Sequence, residues 1–502
     1  MRSLLPALCL AAPLAAQDIT AITRELDTYI PRSLAAWQGA GVAVGIVKDD
    51  KLVYAKGFGV REVGKPDLVD DQTLFAIGSN TKFFTAVAAG MLADDGKLSL
   101  DDKVTKFLPW FQLYDPWVTR EFTLRDAMSH RSGLGRRGDP LWYGTGRSRD
   151  ELIRLVRHLP PNSSFRTEYG YQNLMFITAG QSLAAAAGMS WDDLIARRIF
   201  QPLGMSASRT LMSQLRAQSN IASPHDLGPN DSAPRVIPWR DIDNAGPAGS
   251  ITSNVQDMAK WMRFILANGV WGADTLLKPR TLADITGPHS IPTRVLNDTL
   301  RLGRHFSLYA LGIGTSDVLG VKLLQHTGGI DGMLSFVGMV PERKLGVVVL
   351  TNTGTHNAMY SALGQKILID LLGGPKYDWS AITLAETRKA EAQAAEQVKK
   401  RLDARVANTQ PSRPLAEYAG TYRHEMYGDV IVTVEDGALR VRHGNVIDIR
   451  LQHFHYDTFN ARSSGLLLGE TAWVSFALDS GAKVNAISIE GLAEFGRVRG
   501  GA

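Results

Sequence analysis

Two groups of strand-like segments lie far apart in this 502-residue chain, and their separation limits the folds that it can adopt. The first group is a hairpin signal, with Val42 to Val47 and Leu52 to Gly57 on either side of the polar turn Lys48 to Lys51. The second group consists of three runs joined by short turns, Val321 to Gln325, Met333 to Val340 and Leu345 to Leu350. We expect the hairpin and the late strands to share one antiparallel sheet, with the helical region between them packed against it, in an α/β fold.

The intervening region carries helical periodicity. Apolar residues recur at three- and four-residue spacing from Thr81 to Ala93, and Gly96 follows as a stop signal, which predicts a buried helix. Further helical runs are predicted from Ile22 to Trp37 and from Met359 to Leu372, and helical patches alternate with Gly/Pro/Ser-rich loops between Leu100 and Leu276.

The chain is too long for one hydrophobic core, so we expect a second domain. From Leu384 to Val406 the sequence is rich in Ala, Glu, Lys, Arg and Gln, as in a solvated helix or spacer, and beyond Pro411 come short alternating runs typical of a small all-β barrel or sandwich. The predicted organisation is a signal peptide, a catalytic domain, a helical linker and a C-terminal β domain, over residues 1–16, 20–374, 375–410 and 411–502.

The N-terminus indicates export. Arg2 precedes an apolar stretch from Leu4 to Leu14 and the small residues Ala15 and Ala16, which is the order of a secretory signal peptide cleaved near Ala16. The alternative is a short buried helix. The apolar stretch is too short to span a bilayer, so we expect a periplasmic or secreted protein without a stable membrane anchor. Cys9 is the only cysteine, so the mature chain would contain neither a disulfide nor a thiolate nucleophile.

Charge and motifs exclude several other classes of function. The formal charge is +5, but Lys and Arg are interspersed with acids, so the sequence offers no patch for nucleic acid. No His-Glu-x-x-His segment and no Gly-rich phosphate loop occurs, so we expect neither a metal nor another cofactor. The partner is expected to be a small-molecule or peptide substrate.

Ser79 and Lys82 are three residues apart at the start of the predicted helix from Thr81, so a hydroxyl and an amine would lie on one helical face. A serine needs a base, and a lysine serves as one when burial lowers its pKa. The structural alternative is that Ser79 is a helix N-cap. Ser480 and Lys483 have the same spacing, but they fall in a polar turn between predicted strands and serve as an internal decoy.

Tyr171 and Asn173 form the one Tyr-x-Asn of the sequence, on a loop that enters a helical run from Leu174 to Ala187. A tyrosine can relay protons to a serine, and an asparagine amide can orient a lysine and a substrate carbonyl. The structural alternative makes Tyr171 a packed aromatic residue and Asn173 the helix N-cap.

His326 is predicted at the end of a strand and is followed by Thr327, Gly328 and Gly329. The glycines allow the backbone to approach a ligand closely, and the N–H of Gly329 is a candidate oxyanion donor. A histidine at a strand end can also be purely structural. His130 is predicted at a helix end and is assigned no chemistry.

Together these motifs resemble the active-site motifs of the serine β-lactamase and DD-peptidase superfamily, and the chain from about Ile22 to Gly374 is similar to class C β-lactamase relatives of the peptidase S12 type. The segment around Tyr418 to Tyr422 and the strands after it resemble a lipocalin-like domain of unknown function attached to such hydrolases. In chain order the motifs are Ser79-x-x-Lys82, Tyr171-x-Asn173 and His326-Thr327-Gly328.

The resemblance implies a β-lactamase/transpeptidase-like fold, with an antiparallel sheet, helices on both faces and a helical subdomain. It also implies acyl-serine catalysis, in which Ser79 is the nucleophile, Lys82 and Tyr171 transfer protons and Asn173 orients Lys82 and substrate. The backbone of Ser79 and Gly329 would hold the oxyanion, and Thr327 and Gly328 would contact substrate. His326 would assist protonation or bind a carboxylate.

Two features depart from the family pattern. His326 replaces the lysine of β-lactamases of this type, so strong β-lactamase activity is not expected. The segment Thr167 to Gly170, between Phe165 and Tyr171, is slightly longer than the usual connection, which makes Tyr169 a rival for Tyr171, although Tyr169 lacks an asparagine two residues later.

We therefore expect hydrolysis of D-amino-acid peptides or small esters. The alternatives are a penicillin-binding sensor or scaffold that is acylated without turnover, and a weak β-lactamase. The C-terminal domain would cover the site or mediate homo-oligomerisation, two roles between which the sequence does not choose.

Overall fold

The computed structural model describes residues 19–215, 217–228, 231–292, 303–354, 357–463, 468 and 471–498. The predicted signal peptide, with its cleavage site near Ala16 and with Cys9, lies outside the described residues.

Among the described residues, seven antiparallel strands form the sheet of the first domain. The N-terminal hairpin consists of β1 (Gly41–Lys48) and β2 (Lys51–Gly59). The late strands are β3 (Ser307–Tyr309), β4 (Gly314–Val318), β5 (Val321–Ile330), β6 (Met333–Val340) and β7 (Leu345–Thr351). The order across the sheet is β2-β1-β7-β6-β5-β4-β3, with β1 paired directly to β7. The predicted single sheet built from both groups of strands is therefore confirmed.

Side chains of β1 alternate between two hydrophobic layers, as the period of two in a strand requires. Val42, Val44 and Ile46 pack with the helices α1 (Ile19–Ala36) and α14 (Met359–Leu371) on one face. Ala43 and Val47 point to the opposite face, where α12 (Val255–Leu266) and the helical subdomain pack. Helices thus cover both faces of the sheet.

Most of the remaining helices belong to the subdomain inserted between β2 and β3. The longest are α2 (Thr81–Asp94) and α8 (Asn173–Ala187), both largely buried. The shorter ones are α3 (Val104–Phe107), α4 (Pro116–Glu121), α5 (Leu124–Met128), α6 (Asp139–Trp142), α7 (Arg149–Leu155), α9 (Trp191–Ile195), α10 (Gln201–Leu203), α11 (Gly246–Gly249) and α13 (Pro279–Ile285).

The second domain is a nearly closed antiparallel barrel of nine strands within the described residues. Its strand order is β11-β10-β9-β8-β16-β15-β14-β13-β12. The bounds are β8 (Gly420–His424), β9 (Gly428–Glu435), β10 (Ala438–His443), β11 (Ile447–Arg450), β12 (Gln452–His455), β13 (Thr458–Arg462), β14 (Thr471–Leu478), β15 (Val484–Ile489) and β16 (Ala493–Arg497).

The helix between the domains, α15 (Trp379–Asp403), begins earlier than the predicted start at Leu384. Its first turn is buried, where the Trp37 indole donates a hydrogen bond to Ser380 Oγ at 3.0 Å. The prediction rested on a composition typical of solvent-exposed helices, so it identified the exposed part of α15 and missed the buried first turn.

Strand β5 is longer than predicted, so His326 lies inside a strand opposite Val337 and not at a strand end. The predicted strand stops at Gln325, but Thr327, Gly328 and Gly329 continue it in register with β6, and the glycines leave room for another backbone segment to pass close to them. A search of the described residues for a helix long and apolar enough to cross a membrane finds none.

Candidate active site

Ser79 lies in a single 3₁₀ turn, Gly78–Asn80, that leads directly into α2. The residue before α2 is Asn80, which makes no side-chain capping hydrogen bond, and Ser79 Oγ contacts side chains from two other positions. The structural alternative, in which Ser79 caps the helix, is therefore wrong. The turn holds Ser79 partly exposed to a large cleft, as a nucleophile requires.

Lys82 is fully buried one helical turn later, and its Nζ lies 3.0 Å from Ser79 Oγ. The same nitrogen lies 2.8 Å from Asn173 Oδ1 and 2.7 Å from the Ala248 carbonyl oxygen. Burial lowers the pKa of Lys82 well below its ordinary value. The negative charge of Asp139 opposes this shift, and the positive charge of Arg136 adds to it. The buried position thus favours the neutral amine of Lys82 more than an exposed position would.

Tyr171 donates a hydrogen bond from its hydroxyl to Ser79 Oγ at 2.8 Å. Burial raises the pKa of Tyr171, against a lowering effect from its bond to Ser79, so the phenol is protonated at neutral pH. Tyr169, the rival tyrosine, packs instead against the ring of Tyr309, with centroids 5.4 Å apart. The structure therefore places Tyr171, and not Tyr169, next to Ser79.

Asn173 is held at both ends of its amide. Its Oδ1 faces Lys82, and its Nδ2 donates to Asp139 Oδ1 at 2.9 Å. The cap of α8 is Gln172, whose side chain accepts a hydrogen bond from the Leu174 N–H at 3.0 Å. The alternative role of Asn173 as N-cap is therefore wrong, because the preceding residue performs it.

His326 has a hydrogen-bonding partner at each ring nitrogen. Its Nδ1 lies 2.6 Å from the Thr327 carbonyl oxygen, which can only accept, so Nδ1 carries the proton and Nε2 accepts from the Tyr309 hydroxyl at 3.0 Å. Burial lowers the pKa of His326 to about 4, and the charge of Lys82 acts in the same direction. His326 is neutral at pH 7.

Backbone segments meet closely where β5 passes the turn Gly78–Asn80, which carries the proposed nucleophile Ser79 and is called the nucleophile turn. A Cβ on Gly328 would lie 1.9 Å from the Ile77 carbonyl oxygen, and a Cβ on Gly78 would lie 2.5 Å from the Gly329 nitrogen. Ser335 on β6 holds the turn against the sheet, since its Oγ donates to the Ile77 carbonyl oxygen at 2.7 Å and accepts from Asn80 Nδ2 at 2.8 Å. Glycine is required here because any side chain would separate the turn from the strand.

The third motif has two further members at the cleft. Thr327 and Gly329 both line it, while Gly328 is buried against the nucleophile turn. Gly329 and Ser79 thus line the same cleft.

His130 is buried next to Tyr171, with ring centroids 4.3 Å apart. Its Nδ1 accepts a hydrogen bond from the Gln172 N–H at 3.0 Å, and burial lowers its pKa well below its ordinary value. This neutral ring supports the loop that carries Tyr171 and makes no contact with Ser79 among the interactions of the described residues.

The cleft at Ser79 has a volume of about 1330 Å³ and is lined by both domains. The barrel contributes the segment from Asn445 to Ile449, in the turn between β10 and β11 and in β11 itself. Val446 of this segment packs so closely against Gly144 that a Cβ there would lie 2.1 Å from Val446 Cγ1. The barrel therefore forms a wall of the cleft.

Sequence reasoning missed two charged residues of the site, Arg136 and Asp139. The Arg136 guanidinium lies 4.7 Å from the ring centre of Tyr171, and Asp139 anchors Asn173. Arg136 lies in the connection between α5 and α6 and Asp139 is the first residue of α6, a region that carries no motif spacing. The only signal was the position of this Gly-rich loop directly after His130, which could not identify them individually.

The decoy pair lies apart from this site. Ser480 is exposed in the turn between β14 and β15 and does not line the cleft, as the sequence predicts.

Comparison with known families supports the assignment of both regions. The model described as β-lactamase matches residues 26–370, and a domain of unknown function, DUF3471, matches residues 404–498.

Curated relatives resemble the chain at low identity. The unguisins hydrolase of Aspergillus violaceofuscus is 27% identical over 94% of this chain and 88% of its own length. Penicillin-binding protein 4 of Amycolatopsis lactamdurans is 29% identical over 66% of this chain and 86% of its own length.

Solved structures share the fold over nearly the whole chain. The octameric penicillin-binding protein homologue from Pyrococcus abyssi has a TM-score of 0.62 at 21% identity and covers 93% of this chain and 97% of its own. SurE has a TM-score of 0.57 at 19% identity and covers 95% of this chain and 99% of its own. Because the family model spans more than half of its residues, the chain belongs to the β-lactamase family of serine hydrolases and penicillin-binding proteins.

Proposed function

We propose that this protein is an exported serine hydrolase that cleaves amide or ester bonds through an acyl-serine intermediate. Its substrates in this proposal are peptides with D-amino acids or small esters. The observation that carries the proposal is the convergence of Lys82 Nζ and the Tyr171 hydroxyl on Ser79 Oγ, at 3.0 Å and 2.8 Å.

The surroundings of Lys82 suit a general base. A neutral amine has two N–H donors and one lone pair, and Nζ has three oxygen neighbours. The two carbonyl oxygens, Asn173 Oδ1 and that of Ala248, can only accept, so they take the two N–H groups. The lone pair then faces the Ser79 hydroxyl, whose proton it can remove as Oγ attacks the substrate carbonyl carbon.

Tyr171 suits the role of general acid. It is protonated at rest, lies against Ser79 Oγ and can give its phenolic proton to the departing nitrogen or oxygen. The proton that Lys82 removed from Ser79 then restores the phenol, so the acylation step leaves no net charge on the pair. In the second step water takes the place of the leaving group, the proton transfers run in the reverse order, and the acyl group is released from Ser79.

The developing oxyanion would be held by backbone N–H groups of Ser79 and Gly329. The close approach of Gly78 to the Gly329 nitrogen brings the nucleophile turn and β5 within reach of one carbonyl oxygen. Preorganised donors of this kind are among the largest contributions to acyl-transfer catalysis.

The cleft supports a peptide-sized substrate. Its volume of about 1330 Å³ is above the roughly 300–1,000 Å³ common for small-molecule sites. The neutral state of His326 leaves that position without the cation that would bind a β-lactam carboxylate, which favours peptidase or esterase activity over β-lactamase activity. The similarity to an unguisins hydrolase over 94% of the chain is in keeping with hydrolysis.

The decisive experiment compares the full-length mature protein with Ser79→Ala and with Ser480→Ala, the matched control in the decoy motif. Steady-state hydrolysis is measured with p-nitrophenyl butyrate, a D-alanyl p-nitroanilide, a D-Ala-D-Ala peptide and nitrocefin. A fluorophosphonate probe followed by mass spectrometry locates the acylated residue.

Turnover and labelling that are lost in Ser79→Ala and retained in Ser480→Ala would support the proposal and rank the substrates. Stoichiometric labelling of Ser79 by nitrocefin without turnover of any substrate would instead indicate a penicillin-binding sensor. Activity that survives in Ser79→Ala would refute the mechanism.

A further inference from the structure

Arg136 is an exposed cation in the cleft beside the reacting groups. Its guanidinium lies 4.7 Å from the ring centre of Tyr171, and 70% of its side chain is exposed. Lys82 Nζ lies 4.8 Å from the same ring. Arg136 therefore adjoins the phenol that would protonate the leaving group.

The hydrogen-bonding capacity of Arg136 is largely unused. Within the described part of the chain its guanidinium makes no hydrogen bond, and its ion-pair partner, Asp139 Oδ2, is 3.7 Å away. The other oxygen of Asp139 already accepts from Asn173 and from the Trp142 indole. An arginine carries five N–H donors in a planar fork that matches a carboxylate, so this group can bind one without breaking an existing hydrogen bond.

Two other arginines of the cleft are occupied. Arg240 donates to Asp331 at 2.9 Å, and Arg235 donates to Asp226 at 2.6 Å. Their carboxylate partners come from the chain itself, so they have less free capacity than Arg136 has.

The third motif presents no cation to a ligand, because His326 is neutral at pH 7. His326 donates from Nδ1 to a carbonyl oxygen and accepts at Nε2 from a tyrosine, so it presents no free donor to a ligand. All three neighbours of Lys82 Nζ are oxygens of the protein itself. Arg136 contacts the ring of Tyr171, whose hydroxyl bonds Ser79 Oγ, so a substrate carboxylate next to Ser79 would find its charge partner there.

We propose that Arg136 determines specificity by binding a free carboxylate on the leaving-group side of the scissile bond. The side follows from the contact with Tyr171, which would protonate that leaving group. The substrate class is then a peptide or amide whose leaving residue ends in a carboxylate, as in a carboxypeptidase reaction. This inference rests on the proposed function, because it assigns a substrate class to the same serine site.

The experiment uses the full-length mature protein and two peptides that differ at one group, an N-acetylated D-Ala-D-Ala peptide and its C-terminal carboxamide. The quantity measured is the ratio of kcat/KM for the free acid to that for the carboxamide. The variants are Arg136→Ala, Arg136→Lys and a matched control, Arg154→Ala, which removes an arginine stacked 4.1 Å from the Trp110 ring and does not line the cleft.

In Arg136→Ala the ratio should fall about ten- to a hundredfold, as expected for a charge-assisted contact. The ratio should recover in part in Arg136→Lys, which keeps the charge but loses the fork, and it should not change in Arg154→Ala. An indirect effect through Tyr171 would lower kcat/KM for both peptides by the same factor and leave the ratio constant.

Three results would overturn the inference while leaving the proposed function intact. The first is an unchanged ratio in Arg136→Ala. The second is a fall of this kcat/KM ratio in Arg462→Ala, at an exposed barrel arginine of the same cleft, with no fall in Arg136→Ala. The third is wild-type hydrolysis of p-nitrophenyl butyrate but of neither peptide. Failure of the proposed function is recognised separately, because the wild type would then hydrolyse no substrate and Ser79 would not be labelled.

Discussion

The Asn173 amide donates from Nδ2 to Asp139 Oδ1 at 2.9 Å, and this one contact fixes which end of the amide faces Lys82. A carboxylate can only accept, so it selects the NH₂ end and leaves Oδ1 for the lysine. Asp139 is in turn held by the Trp142 indole at 2.8 Å. A residue without any contact to Ser79 among these interactions thereby positions the proposed base.

Replacement of Asp139 by Asn should test this positioning. The new amide offers a donor where the carboxylate offered acceptors, so the orientation of Asn173 is no longer enforced. We expect kcat/KM at neutral pH to fall about tenfold, equivalent to roughly one charge-assisted hydrogen bond. The negative charge of Asp139 raises the pKa of Lys82, so its removal lowers that pKa and should move the acid limb of the pH profile of kcat/KM to lower pH.

Asp226→Asn is the matched control, because Asp226 also lines the cleft but is paired with Arg235. It should change neither the rate nor the acid limb. A loss of rate in Asp139→Asn without any displacement of the acid limb would contradict the electrostatic part of the prediction, and an unchanged rate would contradict the positioning role.

His326 should make the folded state sensitive to acid. Its pKa is about 4 in the folded protein, below the value of 6.5 expected for an unfolded chain. Between those values the unfolded chain takes up a proton that the folded site resists, so stability from this group is full above pH 6.5 and is lost as the pH falls toward 4. In His326→Gln the free energy of unfolding should decline less over this interval.

Urea denaturation at pH 7.0, 5.5 and 4.5 measures this difference. The buried His130 contributes a loss in the same direction, but it is present in both proteins and cancels in the comparison. Parallel pH dependences of wild type and His326→Gln would show that His326 titrates normally in the folded protein.

The parts that sequence predicted are those with a local period or a fixed spacing. The hairpin that became β1 and β2 follows from two strand-like runs on either side of a polar turn, and the pair Ser79 and Lys82 follows from one helical turn. Arg136, in the connection before α6, and Asp139, at the start of α6, reach the site along a path that tertiary packing fixes, so no spacing reveals them.

Glycine gave the least reliable local signal. The predicted strand ends at Gln325, before the glycines, yet Gly328 lies inside β5, where the Ile77 carbonyl oxygen occupies the space where a side chain would be. The same residue type that usually interrupts a strand is here the one that lets two backbones touch. That distinction depends on a neighbour distant in the sequence, so local rules cannot make it.

Gly78→Ala should abolish most activity while the fold persists. Gly78 has a φ of +50°, and a Cβ there would lie 2.5 Å from the Gly329 nitrogen, so the turn and β5 must separate. We expect a fall in kcat of about a hundredfold or more, comparable to the loss of an oxyanion donor. The matched control is Gly64→Ala, which also has a positive φ but has no atom within 4 Å of the added Cβ.

Gly64→Ala should lose about 1 kcal/mol of stability from backbone strain and retain full activity. Thermal unfolding of both variants, followed by circular dichroism, distinguishes the backbone strain that both share from the steric clash with β5 that only Gly78→Ala introduces. A fully active Gly78→Ala would mean that the nucleophile turn does not depend on its contact with β5.

Val446→Asp should show whether substrate reaches the barrel. Val446 packs against Gly144 at the wall of the cleft, so an aspartate places a charge and loses an apolar contact where a long substrate would lie. We expect KM for a peptide that fills the cleft to rise about tenfold, while kcat/KM for p-nitrophenyl acetate, which occupies only the surroundings of Ser79, stays within about twofold. Val434→Asp, at an exposed valine of the same barrel outside the cleft, controls for general effects of charge on that domain and should alter neither. If Val446→Asp instead lowers both activities equally, the barrel holds the catalytic groups in place and does not select substrate, because a selective wall acts only on molecules long enough to touch it.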